Sequence, residues 1–305
     1  MRRLALLAVV LAMLPLAATA THDWQTPKPL GLDVVTVDGD TASLVCRTGS
    51  TAQKFRTEVG VFGIEPHEVE AVIDACGLTL VVLHGGVTAY DPAAFRDLWH
   101  SAGWGDLVNR RPDVEWWLEV GNEPEFAGME DGWVAREATL RTYKTLALGI
   151  GSGEQAWRQQ FPRLKWLAAL PLTMERIEAF MAWVPDNSRG WINQGAVADW
   201  YDGVGPHVYG HYSVTDEHVW LVYNDVIRRP GVRDCIVTEA GINGVDPVEG
   251  GMRELAGFAR WTPCRAVMAF ALFAPPCDWG GQAAKNYHLC TPVIMDAIRA
   301  YNRGR

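Results

Sequence analysis

The feature that most constrains this sequence is a regular alternation of short apolar runs with amphipathic segments. Strand-like runs are Lys54–Gly60, Leu78–Gly85, Trp116–Gly121, Leu164–Leu172, Val204–Tyr209, Cys235–Ala240 and Ala266–Phe273. Helical patterns lie between them, at His67–Cys76, Ala93–Arg110, Ala135–Phe161, Asp216–Arg229 and Met252–Trp261, with a last one at Pro292–Asn302. Strand followed by helix, repeated, calls for parallel strands joined by helical crossovers. The missing eighth strand has to come from Leu32–Cys46. There, Val34–Val37 and Ser43–Cys46 flank an Asp38-Gly39 turn and read equally as a hairpin, with little helix before the strand at Lys54. The expected fold is a (β/α)8 TIM barrel in one domain spanning residues 21–305. An open doubly wound sheet is the competitor. It is disfavoured because no glycine-rich phosphate loop follows the first strand.

Residues 1–20 read as a secretory signal peptide: Arg2-Arg3, then an apolar run, then Ala18-Thr19-Ala20. The mature protein is expected outside the cytoplasm, secreted or periplasmic, as a monomer without a membrane association. Net charge −9 argues against a nucleic-acid partner, which needs a basic face. Six cysteines in an exported chain imply disulfides rather than a zinc site, since no C-x-x-C pair occurs. Proximity suggests Cys277 with Cys290 and Cys235 with Cys264, which leaves Cys46 with Cys76. Fourteen tryptophans suit both core packing and stacking on sugar faces.

In a barrel of this kind, reacting residues sit at the carboxyl ends of the strands. The second strand ends with Arg56 and the third with His84. The fourth ends with Asn122-Glu123-Pro124, the sixth with His207 and Tyr209, and the seventh with Glu239. Glu123 and Glu239 each terminate an apolar run, and two such carboxyls can face one another across a barrel mouth. Hydrolysis of a glycosidic bond uses such a pair, about 5–5.5 Å apart in a retaining enzyme.

In these residues, in this order, the chain resembles the clan A glycoside hydrolases, of which family 5 is the familiar example. The resemblance runs over roughly residues 50 to 280. It implies a carbohydrate substrate, no cofactor, Glu123 as acid/base and Glu239 as nucleophile of a double displacement. Arg56 would hold Glu239 ionised, and Tyr209 would donate a hydrogen bond to it. Asn122 would bind the sugar 2-hydroxyl, while His84 and His207 would shape the sugar subsite. The clan often ends its eighth strand with a Trp platform. Here Phe273 stands in that place, and Trp279, in a loop tied by Cys277 and Cys290, is read as its substitute. The loops Asp186–Asp199 and Phe126–Trp133 would wall the cleft.

Other candidates have blander readings. Glu119 is expected inside the barrel as a structural carboxylate paired with a cation. Trp116 and Trp166 are expected in the core. Trp133, Trp191 and Trp200 lie near strand ends, where sugar stacking competes with packing. Two other functions compete: a carbohydrate-binding barrel without turnover, and a metal-dependent hydrolase using His207, His211 and Glu239.

Overall fold

The computed structural model describes residues 26–34, 39–57, 64–171, 174–182, 197–209, 232–241, 252–270 and 292–304 of the 305. Its strands are β1 (Leu30–Val34), β2 (Ala52–Arg56), β3 (Leu80–His84), β4 (Glu115–Val120), β5 (Leu164–Ala169), β6 (Gly203–Gly205), β7 (His207–Tyr209), β8 (Val237–Gly241) and β9 (Val267–Phe270). All pair in parallel, in the order β6-β5-β4-β3-β2-β1-β9-β8-β7.

The two ends of that order are one stretch of chain. Pro206 lacks the amide hydrogen that would continue a ladder, and it separates β6 from β7. β6 pairs with β5, and β7 pairs with β8. The Val204 amide also donates to Asp234 O, and Ile236 donates back to Val204 O. Nine strands, two sharing one place, therefore fill eight positions of a TIM barrel.

The first strand corrects the sequence reading. Leu30–Val34 pairs in parallel with β2 and with β9, and Gly39–Arg47 is a helix. The hairpin alternative fails, and Ser43–Cys46 is not a strand. Ala42 and Val45 turn inward at helical spacing, with Val45 fully buried, and the next residue, Cys46, is bonded to Cys76. Two other helices are shorter than expected. The 93–110 pattern divides into Pro92–Ala102 and Trp104–Arg110, because Gly103 sits in the left-handed region at φ +83°. The 135–161 pattern becomes Gly132–Thr142, a π turn at Tyr143–Ala147 and a short helix at Trp157–Gln160. Pro66–Cys76, capped by Glu65 and Glu68, and Met252–Trp261 lie where expected. Asp216–Arg229, residues 1–20 and residues 183–196 of the cleft-wall region lie outside the described residues.

Two apolar layers hold the barrel. One lies between strands and helices and contains Phe55, Val81, Leu83, Trp116, Leu118 and Trp166. The other fills the lower interior with Ala52, Leu80, Val82, Trp117, Leu167, Ile236, Ala266 and Met268. Disulfides join Cys46 to Cys76, linking the helices either side of β2, and Cys235 to Cys264, ahead of β8 and β9. Cys277 and Cys290 lie outside the described residues. Among the described residues no helix is long and apolar enough to cross a membrane.

Candidate active site

Above the apolar layer the interior becomes charged. Successive side chains of a strand alternate between faces, so Ala52, Lys54 and Arg56 rise up the inside of β2 in sequence. Registers set their neighbours: Asp33 lies beside Lys54, Arg56 beside His84, His84 beside Glu119, and His207 beside Glu239. Gly205 makes room for this set. A Cβ there would lie 2.8 Å from Glu119 Oε1 and 2.9 Å from Thr238 Oγ1.

Strict alternation would turn Glu239 outward with Val237. The ladder avoids this with a bulge. Val237 pairs with Val267 and Ala240 with Ala269, three steps on β8 against two on β9. Val237 and Ala240 both pack outward. The extra residue lets Thr238 and Glu239 both contact interior groups. The Thr238 hydroxyl donates to Glu119, and Glu239 accepts from Lys54 and Arg56.

Glu123 is delivered differently. It follows β4 at φ +26°, and among the described residues it alone takes a positive φ without being glycine. Such backbone is costly and persists where surroundings over-determine it, commonly at functional sites. Its Oε1 lies 2.9 Å from His207 Nδ1. One carboxylate oxygen of Glu123, one of Glu239 and one ring nitrogen of His207 fall within 4.8 Å of each other.

Charges decide what these groups can do. Burial disfavours charge on Glu239, but Arg56, His207 and Lys54 outweigh it and hold its carboxyl well below the usual range. Asp33 shares Arg56 and Lys54 with Glu239, and its burial pushes it up instead. Burial opposes charge on Glu119 too, yet Lys54, at 2.8 Å, and His207 hold it low. His207 is buried among Glu239, Glu119 and Glu123. Burial favours the neutral ring, but the three carboxyls raise it to about 10. His207 is therefore an imidazolium at neutral pH. His84 goes the other way, neutral through burial and the nearby Lys54 and Arg56. Its Nε2 lies 3.1 Å from Asn122 Oδ1, which suits a neutral ring donating to the amide.

Arg56, His84, Asn122, Glu123, His207 and Glu239 thus gather at one end of the barrel. β7 carries Tyr209 at its end, but that side chain lies outside the described residues, as do Phe273, Trp279, His211 and Trp191. Glu119 is paired with Lys54 inside the barrel. Lys54 and Asp33 are members the sequence reading missed. Alternation from Arg56 was the available signal for Lys54. Trp116 and Trp166 are buried; Trp200 is half-buried, with Lys144 4.7 Å from its ring centre, and Trp133 lies 5.5 Å from the Arg136 guanidinium.

No family model and no curated protein matches the sequence. Among solved structures, the chain is similar to an endo-β-1,4-glucanase from Xanthomonas axonopodis pv. citri (11% identity, 91% of this chain and 100% of that one, TM-score 0.46). It is also similar to the catalytic domain of an endoglucanase from Thermobifida fusca (12%, 90% and 92%, TM-score 0.47). An aldo/keto reductase from Brucella melitensis scores alongside them (12%, 89% and 94%, TM-score 0.43). Likeness at this level spans different chemistries, so any functional reading has to stand on the site itself.

Proposed function

We propose that this protein is a retaining glycoside hydrolase acting on β-linked carbohydrate, with Glu239 as nucleophile and Glu123 as acid/base. The observation that carries the reading is the pairing of Glu123 with Glu239, their nearest oxygens within 4.8 Å. That bound is compatible with the separation of about 5–5.5 Å in retaining enzymes, against about 6.5–9.5 Å in inverting ones.

Glu239 has surroundings suited to its task. Glu239, kept ionised by Arg56 and Lys54, attacks the anomeric carbon as the bond to the leaving oxygen breaks. Glu123 gives its proton to that oxygen. In the second step Glu123 takes a proton from water as the water displaces Glu239 from the sugar. Asn122, hydrogen-bonded to His84, would bind the sugar 2-hydroxyl. The two disulfides suit work in an oxidising compartment outside the cytoplasm.

One observation favours a second reading. Glu123, His207 and Glu239 have the spacing of a three-ligand metal site. Two cations, Lys54 and Arg56, already stand on Glu239, where a metal ion would have to bind beside them. The glycosidase reading accounts for those cations.

The test is a screen of β-linked polysaccharides and aryl β-glycosides, with product configuration followed by proton NMR from the first minutes. The β-anomer is expected to appear first, and Glu239→Ala is expected to lose turnover. An α-anomer first, or turnover surviving in Glu239→Ala, refutes the proposal. Activity lost to a chelator and restored by a transition metal favours the second reading.

A further inference from the structure

The least expected member of the site is Lys54. Its side chain is fully buried, two residues below Arg56 on the same face of β2. Its ammonium lies 2.8 Å from Glu119 Oε2, 3.1 Å from Glu239 Oε1 and 3.6 Å from Asp33 Oδ2. Arg56 Nη2 contacts the same Glu239 Oε1 and also donates to Asp33 Oδ2 at 2.7 Å. Both cations therefore bear on one oxygen of Glu239. The other, Oε2, faces His207 Nδ1 at 3.5 Å.

We propose that Lys54 is a positioning residue of the active site: from beneath, it pins Oε1 of Glu239 and so presents Oε2 as the attacking atom. This rests on the glycosidase reading. Oε2 supplies the electron pair for the new bond to the anomeric carbon, and the leaving oxygen departs with the glycosidic pair and the Glu123 proton. Lys54 forms and breaks no bond.

A purely structural ion pair with Glu119 is the alternative, and three observations weigh against it. A lone pair needs one partner, yet Lys54 reaches three carboxyls from β1, β4 and β8. Buried ion pairs are weak stabilisers compared with apolar packing, so a structural purpose alone gives little reason for this cluster. The site also balances only with Lys54. Among the described residues, Lys54, Arg56 and the His207 imidazolium give three cations against the carboxyls of Asp33, Glu119, Glu123 and Glu239. One proton held among the four carboxyls makes the set neutral. His84 adds no charge. Without Lys54 a second carboxyl would have to take up a proton.

The test compares wild type, Lys54→Met and the double variant Lys54→Met/Glu119→Gln. The double variant removes one charge of each sign at similar volume, so it keeps the question open if the single variant does not fold. Two readouts are taken. One is kcat and KM against pH on an aryl β-glycoside. The other is the carbon-13 NMR titration of Glu239, assigned with Glu239→Gln, which needs no substrate. Loss of Lys54 is expected to lower kcat roughly 10- to 100-fold, as for a misplaced reacting group, with KM nearly unchanged. The acid limb of the kcat/KM profile and the Glu239 titration midpoint should both move up by about one pH unit or more, because an opposite charge has left a carboxylate. The double variant should keep an upward shift, since Lys54 is the nearer charge. A midpoint and kcat unchanged in either folded variant overturn the proposal. If wild type hydrolyses none of the glycosides, the glycosidase reading has failed, while the carbon-13 titration still decides whether Lys54 governs Glu239.

Discussion

Two buried regions of this barrel are built on opposite principles. Outside β3, β4 and β5 lies a wall of Phe95, Trp99, Trp104, Trp157, Phe161 and Trp166, in which the Trp99 ring centre is 5.0 Å from Trp157 and 6.4 Å from Trp104. At the mouth of the interior, Asp33, Lys54, Arg56, Glu119, His207 and Glu239 are buried just as deeply. The wall gains free energy from every ring it removes from water, and its partners are interchangeable apolar surface. Each charge in the interior costs desolvation and is tolerated only with a named partner. The contrast says where stability and where chemistry reside: large cuts in the wall should unfold the protein, and small cuts in the interior should silence it. Trp99, Trp104, Trp116, Trp117, Trp157 and Trp166 are buried, so much of the tryptophan excess belongs to packing rather than to sugar contact.

The sharpest break in that symmetry is Glu239→Ala. Turnover should fall by at least about 10⁴-fold, on the scale of losing a covalent catalyst. Stability should change far less, by about 1–2 kcal/mol, because Arg56 keeps Asp33 and Lys54 keeps Glu119. Steady-state rates and urea unfolding of one preparation measure both. A stability loss matching that of a core truncation would show that the interior charges also hold the barrel together.

The complementary cut is Trp99→Ala, which should cost about 3–5 kcal/mol as a large-to-small change in a packed core. Turnover per folded molecule should stay within about twofold, since Trp99 touches none of the interior charges. Urea unfolding with active-site titration separates the two quantities. A large fall in specific activity with unchanged stability would erase the division between wall and interior.

The same division governs what was legible in the sequence. The barrel could be read because apolar runs and helical faces recur, and because a strand's end is marked where apolar residues give way to Arg56, His84 or Asn122-Glu123. The helix at Gly39–Arg47 was obscured by an Asp38-Gly39 turn signal and β-branched neighbours, although Ala42, Val45 and Cys46 carry its spacing. Lys54 was missed although alternation from Arg56 marks its face, and Asp33 because its strand lay in the segment that also read as a hairpin; the partners of both are far away in sequence. Glu119 comes from β4 and Glu239 from β8. The position of Glu239 was inferred from the strand's end, but the means was invisible: simple alternation faces it away from the site, and a bulge set by pairing with β9 turns it back.

Backbone strain offers the smallest and cleanest test, at Glu123. Glu123→Ala and Glu123→Gly remove the same carboxyl and the same contact with His207. Both should lose activity on substrates with poor leaving groups and keep a first step on activated aryl glycosides, which need little proton donation. Their stabilities should differ only through the backbone. At an ordinary position glycine is the less stable of the two, by about 0.5–1 kcal/mol, because it has more freedom to lose. At φ +26° alanine carries the steric strain and glycine does not, so the order should invert, with glycine the more stable by about 1 kcal/mol. Paired thermal unfolding of the two variants reads the sign directly. If alanine is the more stable, Glu123 is not held against a strained backbone, and the mouth of the barrel is as relaxed as its aromatic wall.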